Sequence, residues 1–436
     1  MATALFVCVL APAVLVALQI HDNPKLSPID EAAHWDYVKR VAGGSVPRIG
    51  QHLEPSTLRE IVCRGTDLSG LVLPKCSSPR LPARLFPGGA EQYEAQQPPT
   101  YYAATVPLRW FGTDVLGMAD VTATRAAGIL WLTVGLLLLW SAARIVELDV
   151  PVIGAGILVL ATAPVVIYHT AIISNDVPSI LGGSLVALLG ALAWKRPGRW
   201  SVPALGITAF CLVAIKTTEL FPVTIVAALF LLRACAEAAP WDRQTWAANL
   251  KPVARRWLHD GGALLIGGVA SAVVWIFLNR WLALIDPKQL ATFGILRTHA
   301  VTSTLIMREA IFLLGPTTDS YVSPATLGSN LQVVLADLLR FLLIAGALAG
   351  LFVSPRRWFH WLGLVIVPVL FAGGFLFGLG LRINYAIDPG LSARYALPAA
   401  PLLILTLIAA VRGKWVVRGL WAFGLASFAL TFFTMV

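Results

Sequence analysis

The sequence predicts an all-α protein that crosses a membrane about eleven times. Of its 436 residues, 57% are hydrophobic and only 13% are charged, and the mean hydropathy is +0.76. Soluble domains carry about 25% charged residues, so this composition indicates a polytopic membrane protein. The formal net charge of +10 does not indicate nucleic-acid binding, because Lys and Arg cluster in short connections between apolar runs.

Eleven apolar runs account for the predicted spans. Each approaches the ~20 residues that an α-helix needs to cross a hydrocarbon core of ~30 Å. The runs cover residues 2–20, 121–143, 151–170, 177–194, 201–217, 219–233, 261–284, 331–353, 360–381, 395–411 and 416–436. The first run lacks a basic n-region and a convincing cleavage site, which favours a retained helix over a cleaved signal peptide.

Basic residues in alternate connections predict the orientation. These connections are 195–199, 233–259, 356–357 and 412–418. The positive-inside rule places them in the cytoplasm. We therefore expect a multi-pass protein of the plasma membrane with a cytoplasmic N-terminus, forming a single transmembrane domain over 1–436.

The other connections then face outwards, and two of them are long. The first outer loop is 21–120 and the second is 285–330. The second loop alternates amphipathic and polar pieces and is predicted to lie on the membrane surface as a lid. Its charged residues include Arg297, His299, Arg308 and Glu309.

The first outer loop is predicted to open with a short helix. Ser27, Pro28 and Asp30 fit the N-cap, N1 and N3 positions, and Gly43-Gly44 fits a stop after about Arg40. Near the end of the loop, Tyr101 and Tyr102 are expected at the membrane surface, where Tyr is common.

Two cysteines lie in the same outer loop. Cys63 and Cys76 are separated by a short stretch of chain and predict a disulfide if the loop is outside the cytoplasm. The remaining cysteines form no CxxC pair, and nothing in the sequence resembles a zinc site.

The candidate chemical centre is the acidic pair Asp30-Glu31 with His34 one helical turn further on. An acid in the first turn of a helix is often only a cap. A carboxylate close to the lipid boundary can also have a perturbed pKa and accept a proton. Glu31-x-x-His34 resembles half of a carboxylate-bridged metal site, but no matching second half is present, so a divalent metal is not favoured and no cofactor is predicted.

A second polar group ends the third apolar run. Asn175 and Asp176 stand there, preceded by His169. One interpretation is a polar turn in which Asn175 or Asp176 caps the next helix, with Pro178 near N1. The other is a site shared with Asp30, because the predicted topology puts both carboxylates on the same face of the membrane.

Three cations are candidates for binding an anion. Lys216 interrupts an apolar stretch, while Arg382 and Arg394 flank the last outer connection. All three could simply extend to the membrane interface. An ionisable group within a span is nevertheless costly and usually functional, and an Arg on the outer face can bind a phosphate through two hydrogen bonds.

Together these groups predict sugar transfer from a lipid phosphate. A carboxylate would take a proton from an acceptor hydroxyl, and the cations would stabilise the departing phosphate. Neither a GxGxxG motif nor a Walker-type glycine loop is present.

Taken in chain order, the motifs resemble those of the type C (GT-C) glycosyltransferases, in the branch that contains the protein O-mannosyltransferases and aminoarabinose transferases. The matching segments are Asp30-Glu31-Ala32-Ala33-His34, Gln97-Pro98-Pro99-Thr100-Tyr101-Tyr102, Asn175-Asp176, Lys216-Thr217 and Arg394-Tyr395-Ala396-Leu397-Pro398. The resemblance implies a polyprenyl-phosphate sugar donor, an extracytoplasmic active site and an inverting transfer to a hydroxyl of a glycan, lipid or protein.

The resemblance also implies roles for single residues. Asp30 would be the base, with Glu31 as the alternative. The donor phosphate would be bound by Lys216, Arg382 and Arg394. The substrate-binding set would be His34, Gln97, Tyr101, Tyr102, His169, Asn175, Asp176 and Tyr395. Relatives often carry His or an acid at the position of Gln97, which leaves the acceptor open.

Two other functions are considered. A transporter or flippase of lipid-linked sugars would place its charges near the middle of the bilayer between repeated halves, whereas here they gather at one face and no repeat is visible. A noncatalytic assembly subunit would have less use for the same groups.

Overall fold

The computed structural model describes residues 1–66, 72–237, 252–290, 307, 310–311, 313–317, 330–352, 358–385 and 392–435. Over these residues the chain forms helices and turns, with two isolated β-bridges and no strand. The prediction of an all-α protein is therefore confirmed. Arg297, His299, Arg308 and Glu309 lie outside the described residues, so the lid remains a prediction.

The helices are numbered here in chain order. They are α1 (Ala2–Asp22), α2 (Glu31–Ala42), α3 (Pro55–Arg64), α4 (Thr100–Trp110), α5 (Asp120–Ile145), α6 (Val150–Ala161), α7 (Pro164–Ala171), α8 (Ser179–Lys195), α9 (Ser201–Val213), α10 (Leu220–Glu237), α11 (Pro252–Leu282), α12 (Asn330–Ala349), α13 (Trp358–Tyr385), α14 (Ala400–Ala410) and α15 (Lys414–Thr434). A 3₁₀ segment, Ala393–Ala399, leads into α14.

Every predicted apolar run contains helix, but not every run is one full span. In the described part of the chain, eight helices are long and apolar enough to cross a membrane. The pair α6–α7 adds a ninth if it is one span, although it bends by 57° just before Pro164. The remaining two, α8 and α9, have 17 and 13 residues and are shorter than the ~20 that a straight span needs.

The run 201–217 ends earlier than predicted. Its helix, α9, stops at Val213, and the backbone is fully extended at Lys216 (φ −157°, ψ 138°). A short 3₁₀ turn, Thr217–Glu219, then starts α10. The chain therefore places a lysine in a break between two apolar helices, where its side chain can leave the helix surface.

The first helix of the outer loop begins three residues later than predicted. Its N-cap is Asp30 and not Ser27, because the Ser27 hydroxyl instead accepts a hydrogen bond from the backbone N–H of Ile29 (3.1 Å). The predicted stop is confirmed, since the N–H of Gly43 donates to the Lys39 carbonyl (2.9 Å) and Gly43 is the C-cap.

The expectation that Tyr101 and Tyr102 lie at the membrane surface is wrong. Their exposed fractions are 2% and 0%, because α4 packs against α2 and turns both rings inwards. The Tyr102 ring stacks on Tyr37 with 3.7 Å between ring centroids. Aromatic stacking inside the loop therefore replaces contact with the bilayer.

The structure joins Cys63 and Cys76 in a disulfide, with their Cα atoms 4.6 Å apart. The bond fastens the chain beyond α3 back onto that helix. Arg59 supports the same contact by donating hydrogen bonds to the carbonyls of Cys76 and Ser78 (2.6 Å each).

A glycine allows α8 to touch the 3₁₀ segment that precedes α14. A Cβ at Gly183 would overlap the carbonyl oxygen of Pro398, so only glycine permits this approach. The contact fixes the position of the segment Ala393–Ala399 along α8. Arg394 lies in that segment.

We expect Gly183→Ala to destabilise the protein by ~1–3 kcal/mol, because the added methyl group must push a packed carbonyl away. The matched control is Gly262→Ala on α11, where a Cβ would meet nothing within 4 Å. Thermal unfolding of the two detergent-solubilised variants measures the difference. Equal melting temperatures of the two variants would contradict a tight contact between α8 and the segment Ala393–Ala399.

Candidate active site

A cavity of about 660 Å³ opens between the first outer loop and helices α10, α11 and α13. Its lining is partly polar and partly apolar. The polar lining includes Asp30, His34, Tyr93, Glu94, Gln97, Asn175, Asp176, Lys216, Arg394 and Tyr395. The apolar lining includes Leu220, Phe221, Ala272, Ile276, Val369, Leu376, Phe377 and Leu381.

Asp30 presents its carboxylate to this cavity. Its backbone lies in the left-handed region (φ 59°, ψ 2°), and its side chain makes no capping hydrogen bond to α2. Oδ1 accepts a hydrogen bond from the Tyr93 hydroxyl (2.8 Å), and Oδ2 lies 3.4 Å from a terminal nitrogen of Arg394. The side chain is 34% exposed, against 7% for Arg394. The carboxylate is therefore held in place but accessible.

Glu31 is turned the other way. It is fully buried, and its two oxygens accept hydrogen bonds from Nε and a terminal nitrogen of Arg125 (both 2.7 Å). The same oxygens accept the backbone N–H groups of Ser27 (2.6 Å) and Ile173 (2.9 Å). Glu31 does not line the cavity. Its position is that of a structural acceptor, which leaves it poorly placed as the alternative base.

Arg125 was not among the residues predicted from the sequence. This residue also donates to the carbonyls of Asn23 and Lys25 (2.6 Å each), so it ties the end of α1 and the start of α2 to α5. The available signal was a charged residue within the apolar run 121–143, which is costly unless it is paired.

Lys216 and Arg394, two cations of the lining, meet at Asp176. The Lys216 ammonium donates to Asp176 Oδ1, and Nε of Arg394 lies 3.7 Å from Oδ2. All three are at least 94% buried. Burial raises the pKa of Asp176, but Lys216 and Arg394 outweigh this and hold that pKa below its usual value. Asp176 is thus an ionised counter-ion.

Three separate breaks in the helices bring these groups together. Asp176 lies in the turn before α8, whose N-cap is Pro178, so Asp176 does not cap that helix as one interpretation expected. Lys216 lies in the extended break before α10, and Arg394 lies in the 3₁₀ segment before α14. Both cations also face the Tyr395 ring, at 5.4 Å and 5.5 Å from its centroid.

His34 is a buried neutral group. Its Nδ1 lies 2.8 Å from the Tyr102 hydroxyl and 3.7 Å from Glu94 Oε2. Burial, with a smaller contribution from Lys216, lowers the pKa of His34 to about 3. The imidazole is therefore uncharged at neutral pH. In the part of the chain that the structure describes, no cluster of three His, Cys, Asp or Glu residues is arranged to hold a metal ion.

The predicted substrate set divides into two groups. His34, Gln97, Asn175, Asp176 and Tyr395 line the cavity together with Asp30, Lys216 and Arg394. Tyr101, Tyr102, His169 and Arg382 do not line it. Tyr102 nevertheless reaches the lining through His34, because the two side chains share the hydrogen bond described above.

Sequence reasoning also missed Tyr93 and Glu94. They lie in a 3₁₀ turn of the first outer loop (Tyr93–Gln96), where acids are usually solvated, and no periodic pattern marks them as buried. Asn279 is a third omission, and here a polar residue near the end of the apolar helix α11 was a visible signal.

No protein-family model matches the chain, and no curated protein matches it either. Two solved structures match over 99% of the chain: crystal structures of the Archaeoglobus fulgidus oligosaccharyltransferase, tethered with an acceptor peptide containing the NVT sequon and in the apo form. Both are 14% identical to this chain, with TM-scores of 0.48 and 0.46. The chain spans 55% of the length of those chains. A likeness of this degree supports no conclusion about activity or substrate.

We expect Glu31→Gln to destabilise the protein by ~3–5 kcal/mol, because Arg125 would remain charged and buried without its anion. The double variant Glu31→Gln with Arg125→Met should lose less than the sum of the two single changes. Thermal unfolding of the three variants in detergent measures this coupling.

The matched control is Glu60→Gln, which removes an ion pair with Arg64 whose side chains are 29% and 22% exposed. Exposed pairs of this kind contribute ~0.3–0.5 kcal/mol, so its effect should be small. A loss at Glu31 no larger than the loss at Glu60 would contradict a structural role for the buried pair.

Proposed function

We propose that this protein is a membrane glycosyltransferase of type C that moves a sugar from a polyprenyl-phosphate donor to an extracytoplasmic hydroxyl, with inversion and with Asp30 as the general base. One observation carries the proposal. A single cavity is lined by an accessible carboxylate, by two buried cations and by an apolar wall.

The apolar wall supports a lipid donor. It is formed by side chains of α10, α11 and α13, three helices that are apolar enough to cross a membrane. Phe221, Phe377 and Leu381 lie on this wall. A polyprenyl chain bound there would remove apolar surface from water, at ~25 cal/mol per Å² buried.

The cations support a phosphate between the lipid and the sugar. Lys216 and Arg394 converge on one carboxylate, Asp176, and this convergence supports their role in binding an anion. Arg394 can also hold a phosphate oxygen with two N–H groups, which a lysine cannot do. Charge that develops on the departing phosphate would be stabilised where water is largely excluded.

Asp30 is the group best placed to activate the acceptor. Its carboxylate is accessible, contacts the same arginine and is oriented by Tyr93. In the proposed step Asp30 takes the acceptor O–H proton as the acceptor oxygen bonds to the anomeric carbon. The bond from that carbon to the phosphate oxygen breaks, and its electron pair leaves with the phosphate.

The same placement favours an enzyme over a transporter of lipid-linked sugars. Asp30, Asp176, Lys216 and Arg394 lie together in loops and helix breaks, whereas a transporter would place its charges near the middle of the bilayer between repeated halves. We place these charged groups outside the cytoplasm, in the plasma membrane, from the distribution of basic connections.

We expect Asp30→Asn to abolish turnover, because Asn keeps the size of the side chain but cannot accept the proton at the acceptor oxygen. Loss of a positioned base costs ~10²–10⁴-fold in rate. The measurement is release of labelled sugar from polyprenyl-phosphate mannose and, separately, polyprenyl-phosphate arabinose by the purified protein in liposomes.

The matched control is Asp22→Asn at the end of α1, a residue that does not line the cavity and pairs with His21. It should turn over donor like the wild type. Undiminished release by Asp30→Asn would remove Asp30 from the mechanism. Movement of intact donor across the bilayer without any sugar release would favour the flippase.

A further inference from the structure

Glu94 is a buried acid in the cavity that the proposed mechanism does not use. It lies one residue beyond Tyr93, and its side chain is only 7% exposed. Its Oε2 accepts no hydrogen bond in the structure, although the residue lines the cavity. A buried carboxyl oxygen without a partner is costly, and a substrate that enters the adjoining cavity is one source of such a partner.

The charges around Glu94 leave no cation for it. Among the described residues, Lys216 pairs with Asp176, Arg394 lies against both Asp176 and Asp30, and the only basic group within 4 Å of Glu94 is the neutral imidazole of His34. An ionised Glu94 would be a third negative charge facing two positive ones. A donor phosphate would add a fourth.

The groups that face Glu94 come from several elements. They are Asp30, His34 and Tyr37 from the N-cap and body of α2, Tyr93 beside it, Tyr102 from α4, and Asp176, Lys216 and Arg394 from the helix breaks. Burial raises the pKa of Glu94 well above its ordinary value, and the Asp30 carboxylate raises it further; Lys216 and Arg394 lower it by less. Glu94 thus keeps its proton beside Asp30, the residue that the proposed mechanism uses as base.

We propose that Glu94 binds substrate as a neutral carboxylic acid, donating its O–H to a hydroxyl oxygen of the transferred sugar or of the acceptor. The inference rests on the proposed function, and it assigns a second acid to the same site in a different role. Asp30 removes a proton, whereas Glu94 keeps its proton and selects for a hydroxyl group.

Two substitutions separate this role from a structural one. Glu94→Gln keeps the size and a hydrogen-bond donor but cannot ionise, while Glu94→Leu removes the polar group. We expect Glu94→Gln to keep kcat/KM within about threefold of the wild type and Glu94→Leu to lose about tenfold or more, as for a hydrogen bond that leaves its partner unpaired. Equal losses in both variants would overturn the proposal.

The pH profile gives the second readout. The neutral form of Glu94 predominates below its raised pKa, so wild-type kcat/KM should fall as pH rises through that value, where a second carboxylate appears beside Asp30. In Glu94→Gln this alkaline fall should be absent. An unchanged alkaline fall in Glu94→Gln would contradict the neutral-acid role.

The source of the hydroxyl follows from two assays of Glu94→Leu. Loss of sugar release to water, with no acceptor present, identifies the transferred sugar as the partner. Loss confined to transfer onto n-octyl mannoside identifies the acceptor. No loss in either assay overturns the proposal.

An infrared measurement separates this inference from the proposed function, because it needs no turnover. Wild-type protein in nanodiscs at neutral pH should show a protonated carboxyl C=O band that is absent in Glu94→Gln and retained in Glu54→Gln, a control acid of the same loop outside the cavity. A missing wild-type band would overturn the inference and leave glycosyl transfer standing. A band that shifts on adding n-octyl mannoside, without sugar release from either donor, would uphold the hydroxyl contact and remove the transfer.

Discussion

The need to neutralise buried charge shapes this structure more than any other constraint. An isolated ion in a low-dielectric interior costs several kcal/mol even after the protein relaxes, so each buried ion requires a partner of opposite sign. Two buried pairs meet this requirement, Glu31 with Arg125 and Asp176 with Lys216. Each joins segments that are distant in sequence, and together they hold the outer loop and the helix breaks against each other.

Because of this constraint, the neighbouring acids Asp30 and Glu31 have different environments. The left-handed backbone at Asp30, a conformation that costs a non-glycine residue ~1 kcal/mol, sends two successive carboxylates in different directions. Glu31 then satisfies four donors in the interior, while Asp30 keeps an accessible oxygen in the cavity. The hydrogen bonds of Glu31 thereby hold the backbone next to Asp30, while the Asp30 carboxylate stays accessible.

Much of the helical layout is readable from the sequence, because runs of apolar residues long enough to span a bilayer are a strong signal. The grouping of Asp30, Asp176, Lys216 and Arg394 also follows from polar residues at or near the ends of such runs. The run 201–217 was expected to include Lys216, but its helix stops at Val213. The start of α2 was misplaced because Ser27 uses its hydroxyl within its own turn and not for the helix. The surface position expected for Tyr102 failed because stacking on Tyr37 is a tertiary contact that no local pattern records. Tyr93 and Glu94 were not predicted for a similar reason. An irregular loop has no sequence period that separates buried from solvated side chains.

The contact of one carboxylate with both cations also bears on how a catalytic cycle would end. Asp176 neutralises Lys216 and lies within 4 Å of Arg394. A lipid phosphate left behind after transfer would therefore compete with an internal anion that never diffuses away. In the proposed cycle, this competition would weaken binding of the spent carrier lipid, limit product inhibition and favour exchange for a fresh donor.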